Sequence, residues 1–279
     1  MLDNIKKRSL SLALINARIT DKSFKKWKMF GFCAKKIFQK FDICLSANLK
    51  SKNFLKSLGA KNIKYIGNLK FSQIENSRTN LNKDIKKFFM KKKIWCASST
   101  HYSEEKICAE THKKLKSKYK NLLTIIIPRH VHRSNEIKNE IQKLNLKVHM
   151  HDSKKKIDPQ TDIYLVNSFG QTSSFFKICK TVFLGGSIIK HGGQNPLEAV
   201  RYGCNVIHGQ NIWNFEEIYS LLKKYEVSNK IMNSGQLTTK IDNTLNMQTN
   251  SKNIKIKIKL LGDKILNSTF NEIDYFINQ

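Results

Sequence analysis

No stretch of this sequence is apolar for long. The longest strictly apolar runs, 122–123 and 125–127 on either side of one threonine, fall far short of the roughly 20 residues a spanning helix needs, so no transmembrane helix is expected. The opening MLDNIKKRSLSLALINAR has a basic start and a short apolar run, but no small-residue cleavage site follows and Arg18 and Asp21 interrupt it. It reads as a buried strand and not as a signal peptide. Cys33, Cys44, Cys96, Cys108, Cys179 and Cys204 form no CxxC pair and no metal-like spacing with histidine, which argues for reduced thiols in a cytosolic protein, without disulfide or zinc. Acidic residues are scarce: 21 against 51 basic ones, a formal charge of +30. That balance draws a chain to polyanions such as nucleic acid, anionic lipid headgroups or phosphorylated glycolipid. Most of the excess is lysine spread along the whole chain, a picture that biased genomic base composition produces equally well. No nucleic-acid motif and no cluster of stacking aromatics accompanies it, so nucleic acid is not the expected partner. No internal repeat is visible.

What is present is a folded chain of 279 residues, 40% hydrophobic, enough for one large or two modest domains. Short apolar runs alternate with helical, lysine-rich segments, the pattern of βαβ units and an α/β fold on parallel sheets. Strands are expected at 11–15, 42–45, 63–66, 94–97, 122–127, 146–149, 162–166, 181–184 and 205–207. A polar stretch at 75–83, ENSRTNLNK, lacks apolar periodicity and suggests a linker. A second, at 243–253, precedes a closing amphipathic helix at 254–277 expected to pack back on the body. The expected organisation is therefore a unit at 1–80, a second at 81–235 and a helical segment at 236–279. Three strands are too few for a complete doubly wound domain, so the first unit is expected to be incomplete.

The most informative stretch is VFLGGSIIKHGGQNPLE at 182–198. A buried strand runs into Gly185, Gly186 and Ser187, then into His191, Gly192, Gly193 and Gln194. A helix is expected to start with Asn195 as N-cap, Pro196 at its first position and Glu198 at N3 of a capping box. Glycines permit close backbone approach, and free amides at a helix N-terminus favour phosphate. Equally, the glycines make turns and Glu198 caps its helix.

GGSIIKHGGQNPLE closely resembles the donor-site motif of the Kdo (3-deoxy-D-manno-octulosonic acid) transferases of lipopolysaccharide synthesis, which are GT-B glycosyltransferases. Other segments agree with that family in order: NARITDKSF at 16–24, GNLKF at 67–71, SSTHYSEE at 98–105, PRH at 128–130 and NF at 214–215. Six ordered matches over roughly residues 10 to 225 are far harder to obtain by chance than one glycine motif. The resemblance implies a GT-B-like fold of two Rossmann-like units facing a cleft, the N-terminal one incomplete. It implies inverting, metal-independent transfer of Kdo from CMP-Kdo to a lipid A precursor, with no cofactor beyond the donor substrate. The net charge and an amphiphilic acceptor together suggest a peripheral location on the cytoplasmic face of the inner membrane, with the anionic membrane surface as a partner.

Residue by residue, the resemblance places Arg129 at the cytidine phosphate and Glu198 at the ribose. Ser99, Thr100, His101 and His130 would line the phosphate or sugar pocket with the 185–195 loops. Asn16, Arg18, Asn68 and Lys70 would lie on the cleft or acceptor side. Each has an ordinary alternative: Arg129 in a surface salt bridge, His130 in an exposed loop, Ser99 or Thr100 as a helix cap, Lys70 as one solvated lysine among many. Three departures stand out. The family's acidic residue after GNLKF is Ser72, its DTxGE reads Asn167, Ser168, Phe169, Gly170 and Gln171, and its glycine before the paired glutamates is Ser103. The family's proposed acidic base lies upstream of the NAR segment, in a portion this sequence does not show, so no general base is nominated. A donor-binding fragment without independent activity, completed by a separately encoded N-terminal piece, is the rival expectation, and another GT-B sugar transferase is the nearest enzymatic alternative.

Overall fold

A computed structural model of the chain describes residues 2–73, 81–152, 156–246 and 251–278. The chain divides into two compact units, 1–74 with 258–279, and 75–257. Most of the expected linker at 75–83, and residues 247–250 of the second polar tract, lie outside the described residues.

The first unit runs α1 (Leu2–Lys7), β1 (Ala13–Ala17), α2 (Asp21–Met29), α3 (Gly31–Phe38), β2 (Ile43–Ser46), α4 (Leu49–Ser57) and β3 (Ile63–Tyr65). Its three strands pair in parallel in the order β1-β2-β3. Central β2 is buried at every position while both edge strands are only partly covered, which is how parallel strands sort by position. Polar residues set the helix starts. Thr20 Oγ1 accepts from the Ser23 amide at 3.2 Å ahead of α2, and Asn48 Oδ1 accepts from the Ser51 amide at 2.6 Å ahead of α4. Phe24 and Trp27 of α2 and Ala34 and Phe38 of α3 turn inward onto a core shared with Cys44, Leu55 and Leu58.

The second unit runs α5 (Lys83–Met90), β4 (Lys93–Thr100), α6 (Glu104–Lys116), β5 (Leu122–Pro128), α7 (Ser134–Gln142), β6 (Val148–Met150), β7 (Ile163–Leu165), α8 (Thr172–Phe176), β8 (Thr181–Leu184), α9 (Leu197–Arg201), β9 (Asn205–His208), α10 (Glu216–Lys224), β10 (Ser228–Lys230) and α11 (Ser234–Asn246). The strands form a seven-stranded parallel sheet in the order β10-β9-β8-β4-β5-β7-β6. The apolar run at 122–127 is buried at every residue, as a strand covered on both faces requires. The chain enters at β4, winds through β5, β6 and β7 to one side, then returns to place β8, β9 and β10 on the other. Direction reverses where β4 meets β8, and the carboxyl ends of strands at such a reversal leave a crevice for ligands.

Helix α12 (Ser251–Ile277) closes the chain. Its residues from 258 on belong to the first unit, where Gly262 lies so close to the Phe71 carbonyl that an added Cβ would stand 2.4 Å from the oxygen. Helix α11 packs on α6 through Leu237 and Ile241, and Asp242 accepts from Lys118 at 2.8 Å and from the Tyr119 hydroxyl at 2.5 Å.

All nine expected strands are present, with ends displaced by up to three residues, and β10 is additional. Its sequence, SNK, has no apolar residue to announce a strand. Backbone pairing to β9 makes it one, anchored by buried Val227 and Ile231 on either side.

Between β4 and α6, Ser103 adopts φ +73° and makes no side-chain cap bond. A left-handed non-glycine residue costs roughly 1–2 kcal/mol, and this is the position where the resembling family carries glycine. Ser103→Gly is therefore expected to stabilise the protein by about 1 kcal/mol, seen as a higher denaturant midpoint with an unchanged slope.

Candidate functional site

Three loops leave the carboxyl ends of β4, β5 and β8 side by side, and one buried carboxylate binds two of them together. Glu104 has no exposed surface. Its Oε2 accepts from the amides of His101 at 3.0 Å and Gly186 at 2.7 Å, and its Oε1 from those of Ser187 at 3.1 Å and Ile188 at 3.0 Å. Four amides around one carboxylate form an anion nest already filled from within the chain. The glycines follow from that proximity: a Cβ on Gly185 would stand 2.4 Å from the Ser99 carbonyl oxygen and 2.8 Å from the Glu104 carboxylate. Ser187 is wholly buried, its Oγ donating to the Leu184 carbonyl at 2.5 Å and accepting from the Gly209 amide at 2.8 Å. The Gly186 and Ser187 amides and the Ser187 hydroxyl thus hold the loops together.

On this base sits a row of imidazoles. His101 packs against His191 at 4.1 Å between ring centroids and against His130 at 5.6 Å, and His130 lies 5.7 Å from His132. Gln194 Nε2 is 3.4 Å from His101 Nε2. Burial first, and then the neighbouring His191, His130, Arg129 and Arg133, pull the His101 pKa down to about 4, so near neutrality it is an uncharged ring. Arg129 emerges from β5 with its amide donating to the Thr100 carbonyl at 2.9 Å, and its side chain is exposed. Ser99 holds φ +55° between buried Ser98 and buried Thr100. Among the described residues no group of three or more histidine, cysteine or acidic side chains is arranged to hold a metal ion.

Asn195 Oδ1 accepts from the Leu197 amide at 3.1 Å. The helix begins at Leu197, later than the sequence suggested, and ends five residues on at Arg201. Pro196 is its capping residue and Glu198 its second residue, so the expected capping-box register gives way, because the two glycines and the Pro196 turn carry the chain further before it coils. Glu198 is half-buried on this short helix. Gly193 donates to the Gly186 carbonyl at 2.8 Å, and the Asn214 amide to that of Gly192 at 3.1 Å, so the loop carrying His191 to Gln194 is braced at both glycines. Tyr219 donates to the Gln194 carbonyl at 2.9 Å and packs at a tilt against buried His208, 4.2 Å between ring centroids. Of the residues in the sequence-predicted site, Ser99, Thr100, His101, Arg129, His130, Gly185 to Ser187 and His191 to Glu198 come together at this one sheet edge. Glu104, Gly209 and Tyr219, which hold them there, carry no motif that singles them out; only the pairing of Glu104 with the family's SSTHYSEE segment pointed toward one of them.

The four first-unit candidates are built separately. Asn16, at φ +52°, accepts from the Leu69 amide at 3.1 Å, and buried Asn68 accepts from the Lys70 amide at 3.0 Å. Gly67, at φ +119°, leaves room for Ile265, 2.8 Å from where a Cβ would stand. The two asparagines thus shape the GNLKF turn, on which Lys70 is exposed, as Arg18 is beyond β1.

Glu105, next to the nest residue, is buried too. Burial raises its pKa to about 7 against the opposing pull of Arg133, whose Nη1 is 3.3 Å away, and of Thr100. A carboxyl with a raised native pKa stabilises the fold fully below its unfolded value near 4.5 and loses that contribution as pH rises to about 7. His101 acts oppositely: with its native pKa depressed, its contribution is complete above about 6.5 and is lost as pH falls toward 4. Glu105→Gln should therefore uncover the histidine slope, making stability rise more steeply between pH 4.5 and 6.5 than in the unsubstituted chain, as read by urea denaturation. Glu104→Ala should cost about 3 kcal/mol or more by leaving four amides unmet. Formate or acetate should raise the melting temperature of that variant and leave the parent unchanged.

Comparison with known proteins finds similarity both in sequence and in fold. The family model described as 3-Deoxy-D-manno-octulosonic-acid transferase (kdotransferase) matches residues 1–73. The 3-deoxy-D-manno-octulosonic acid transferase of Haemophilus influenzae is 25% identical over 264 residues, 93% of this chain and 61% of that protein. That of Rickettsia conorii is 29% identical over 288 residues, 97% of this chain and 59% of that protein. The chain thus spans about three-fifths of the length of these relatives. Among solved structures, the C-terminal CMP-Kdo binding domain of WaaA from Acinetobacter baumannii superposes with a TM-score of 0.57 at 23% identity, covering 64% of this chain and 91% of that domain. The chain has an α/β fold built on parallel sheets, and in sequence it is similar to 3-deoxy-D-manno-octulosonic acid transferases along nearly its whole length.

Proposed function

We propose that this chain carries the donor-binding machinery of a Kdo transferase, which moves Kdo from CMP-Kdo to a hydroxyl of a lipid A precursor in lipopolysaccharide synthesis. The observation that supports it most is the convergence of Ser99 to His101, Arg129, His130 and the 191–198 loop at the β4/β8 reversal of a sheet whose relatives bear that activity in their names. In this reading Arg129, exposed at the end of β5, meets the donor phosphate and neutralises the charge that grows on it as CMP departs. Neutral His101 offers a hydrogen bond to the sugar or phosphate without adding a competing charge, and His130 lies beside it. Glu198 accepts from the ribose hydroxyls. The transfer is inverting and draws on cationic and polar groups rather than a metal, and an acidic group outside the residues assigned here deprotonates the acceptor. The protein acts at the cytoplasmic face of the inner membrane, where the amphiphilic acceptor lies and where a net charge of +30 is attracted to anionic lipid.

A second reading, donor binding by this chain without transfer, draws support from the three-stranded first unit, whose edge strand β1 is only partly covered. One set of assays separates the two. With CMP-Kdo generated in situ and a lipid A precursor as acceptor, the purified chain is expected to form product. Arg129→Ala and Glu198→Ala are each expected to lower the rate by about a hundredfold and to weaken CMP binding in calorimetry. CMP binding by the unsubstituted chain without product would favour the second reading, and absence of both would sink the first.

A further inference from the structure

Helices α2 and α3 meet at a turn that exposes the largest apolar side chains in this part of the molecule. Met29 is 85% exposed, Phe30 65% and Phe32 70%. The core does not need them, since Phe24, Trp27, Ala34 and Phe38 already supply the inward faces of both helices. At Gly31, between Phe30 and Phe32, an added Cβ would meet open space, with nothing within 4 Å beyond its own stretch of chain. Around it, Lys25, Lys26 and Lys28 of α2 and Lys35 and Lys36 of α3 are all exposed. Lys36 Nζ lies 4.4 Å from the centre of the Phe32 ring. No acidic residue lies between Lys22 and Gln39, so nothing within the two helices beyond Asp21 neutralises this collar.

An apolar tip inside a cationic ring suits a surface that is apolar beneath and anionic at its boundary, which describes an anionic bilayer. We infer that the α2–α3 turn is a membrane-docking tip, with Met29, Phe30 and Phe32 entering the interfacial layer and the lysine collar pairing with lipid phosphates. The charge complementarity of the collar selects this occupant. A polypeptide partner matched to the same tip would need an apolar socket ringed with carboxylates. The inference deepens the reading of an amphiphilic acceptor and rests on that reading only for the purpose of docking. Its test involves no sugar transfer, so one can fail without the other.

Cys33 sits on the tip and is exposed, whereas the other five cysteines are buried, so a thiol-reactive, environment-sensitive fluorophore reports on this site in the unsubstituted chain. On vesicles of phosphatidylcholine with a minority of phosphatidylglycerol, its emission should shift to the blue, and the protein should sediment with the vesicles. On phosphatidylcholine alone, or in about 1 M salt, where screening acts within about 3 Å, both signals should fall away. Phe30→Ser/Phe32→Ser should lower the partition coefficient by about tenfold or more, and Lys25→Ser/Lys26→Ser should lower it while steepening nothing in the salt dependence. Lys113→Ser/Lys114→Ser, an equal loss of charge from exposed positions on α6, should change it far less. The inference is overturned if the chain ignores anionic vesicles or if the label does not shift on binding. It is equally overturned if the serine pair at 30 and 32 binds as the parent does, or if both lysine pairs weaken binding alike, since diffuse charge alone would then account for it.

Discussion

The Glu104 carboxylate is the constraint on which the candidate site depends. A charge without any exposure is tolerated only when its hydrogen-bonding capacity is met. Here the means of meeting it is to bring the amides of residues 186 to 188 onto the start of α6. That requirement explains the absence of a side chain at Gly185, the left-handed turn at Gly186 and the burial of Ser187. Sequence and fold thus use a negative charge to shape a region whose outer surface is basic and imidazole-rich. The four amides of the nest are taken by Glu104 and are not available to a ligand.

The same arrangement accounts for the electrostatics of the imidazole row. His101 is the innermost ring, held between His191 and His130 with two arginines nearby. Desolvation and like charge both favour its neutral form, while the Glu104 carboxylate bonds to the residue's backbone and not to its ring. Glu105, one residue further along α6, faces Arg133 and has its acidity weakened by burial. Adjacent glutamates thereby take opposite parts: Glu104 is satisfied by four amides, whereas Glu105 meets one guanidinium at Oε1 and its buried Oε2 has no hydrogen-bond partner among the described residues. Helical geometry produces the difference, since neighbouring residues point about 100° apart and only one can face the β8 loop.

Much of the fold was legible because it rests on local patterns. Buried parallel strands such as 122–127 and 181–184 announce themselves as apolar runs, and the alternation with helices implies the parallel sheets. What escaped was non-local. β10 is a strand by pairing and not by composition. The start of α9 depends on how the preceding glycines are braced against residues 186 and 214. Ordered motifs brought most of the candidate site into one list, but they could not show that the Gly186 and Ser187 amides serve an internal carboxylate, because the donor and the acceptor are more than 80 residues apart in sequence. The resemblance alone puts Asn16 and Asn68 on the cleft or acceptor side; that their side chains accept from the backbone amides of Leu69 and Lys70 could not be read from sequence.

Net charge is the feature that sequence composition states most loudly and explains least. Lysines spread along a chain create a diffuse field that any polyanion feels, and a biased genome produces the same field without selection for binding. Structure distinguishes the two where charge coincides with something costly. Most lysines here are ordinary solvated side chains or surface ion pairs, which contribute little. At the α2–α3 turn, exposed Met29, Phe30 and Phe32 share the surface with the lysine collar, apolar area kept in water that the core of this unit does not use. Base-composition bias accounts for lysine in place of arginine; it does not account for two phenylalanines and a methionine held outward on a turn. The basic character of this protein therefore acquires a location, and with it a physical meaning, at the α2–α3 turn rather than in the sum over the chain.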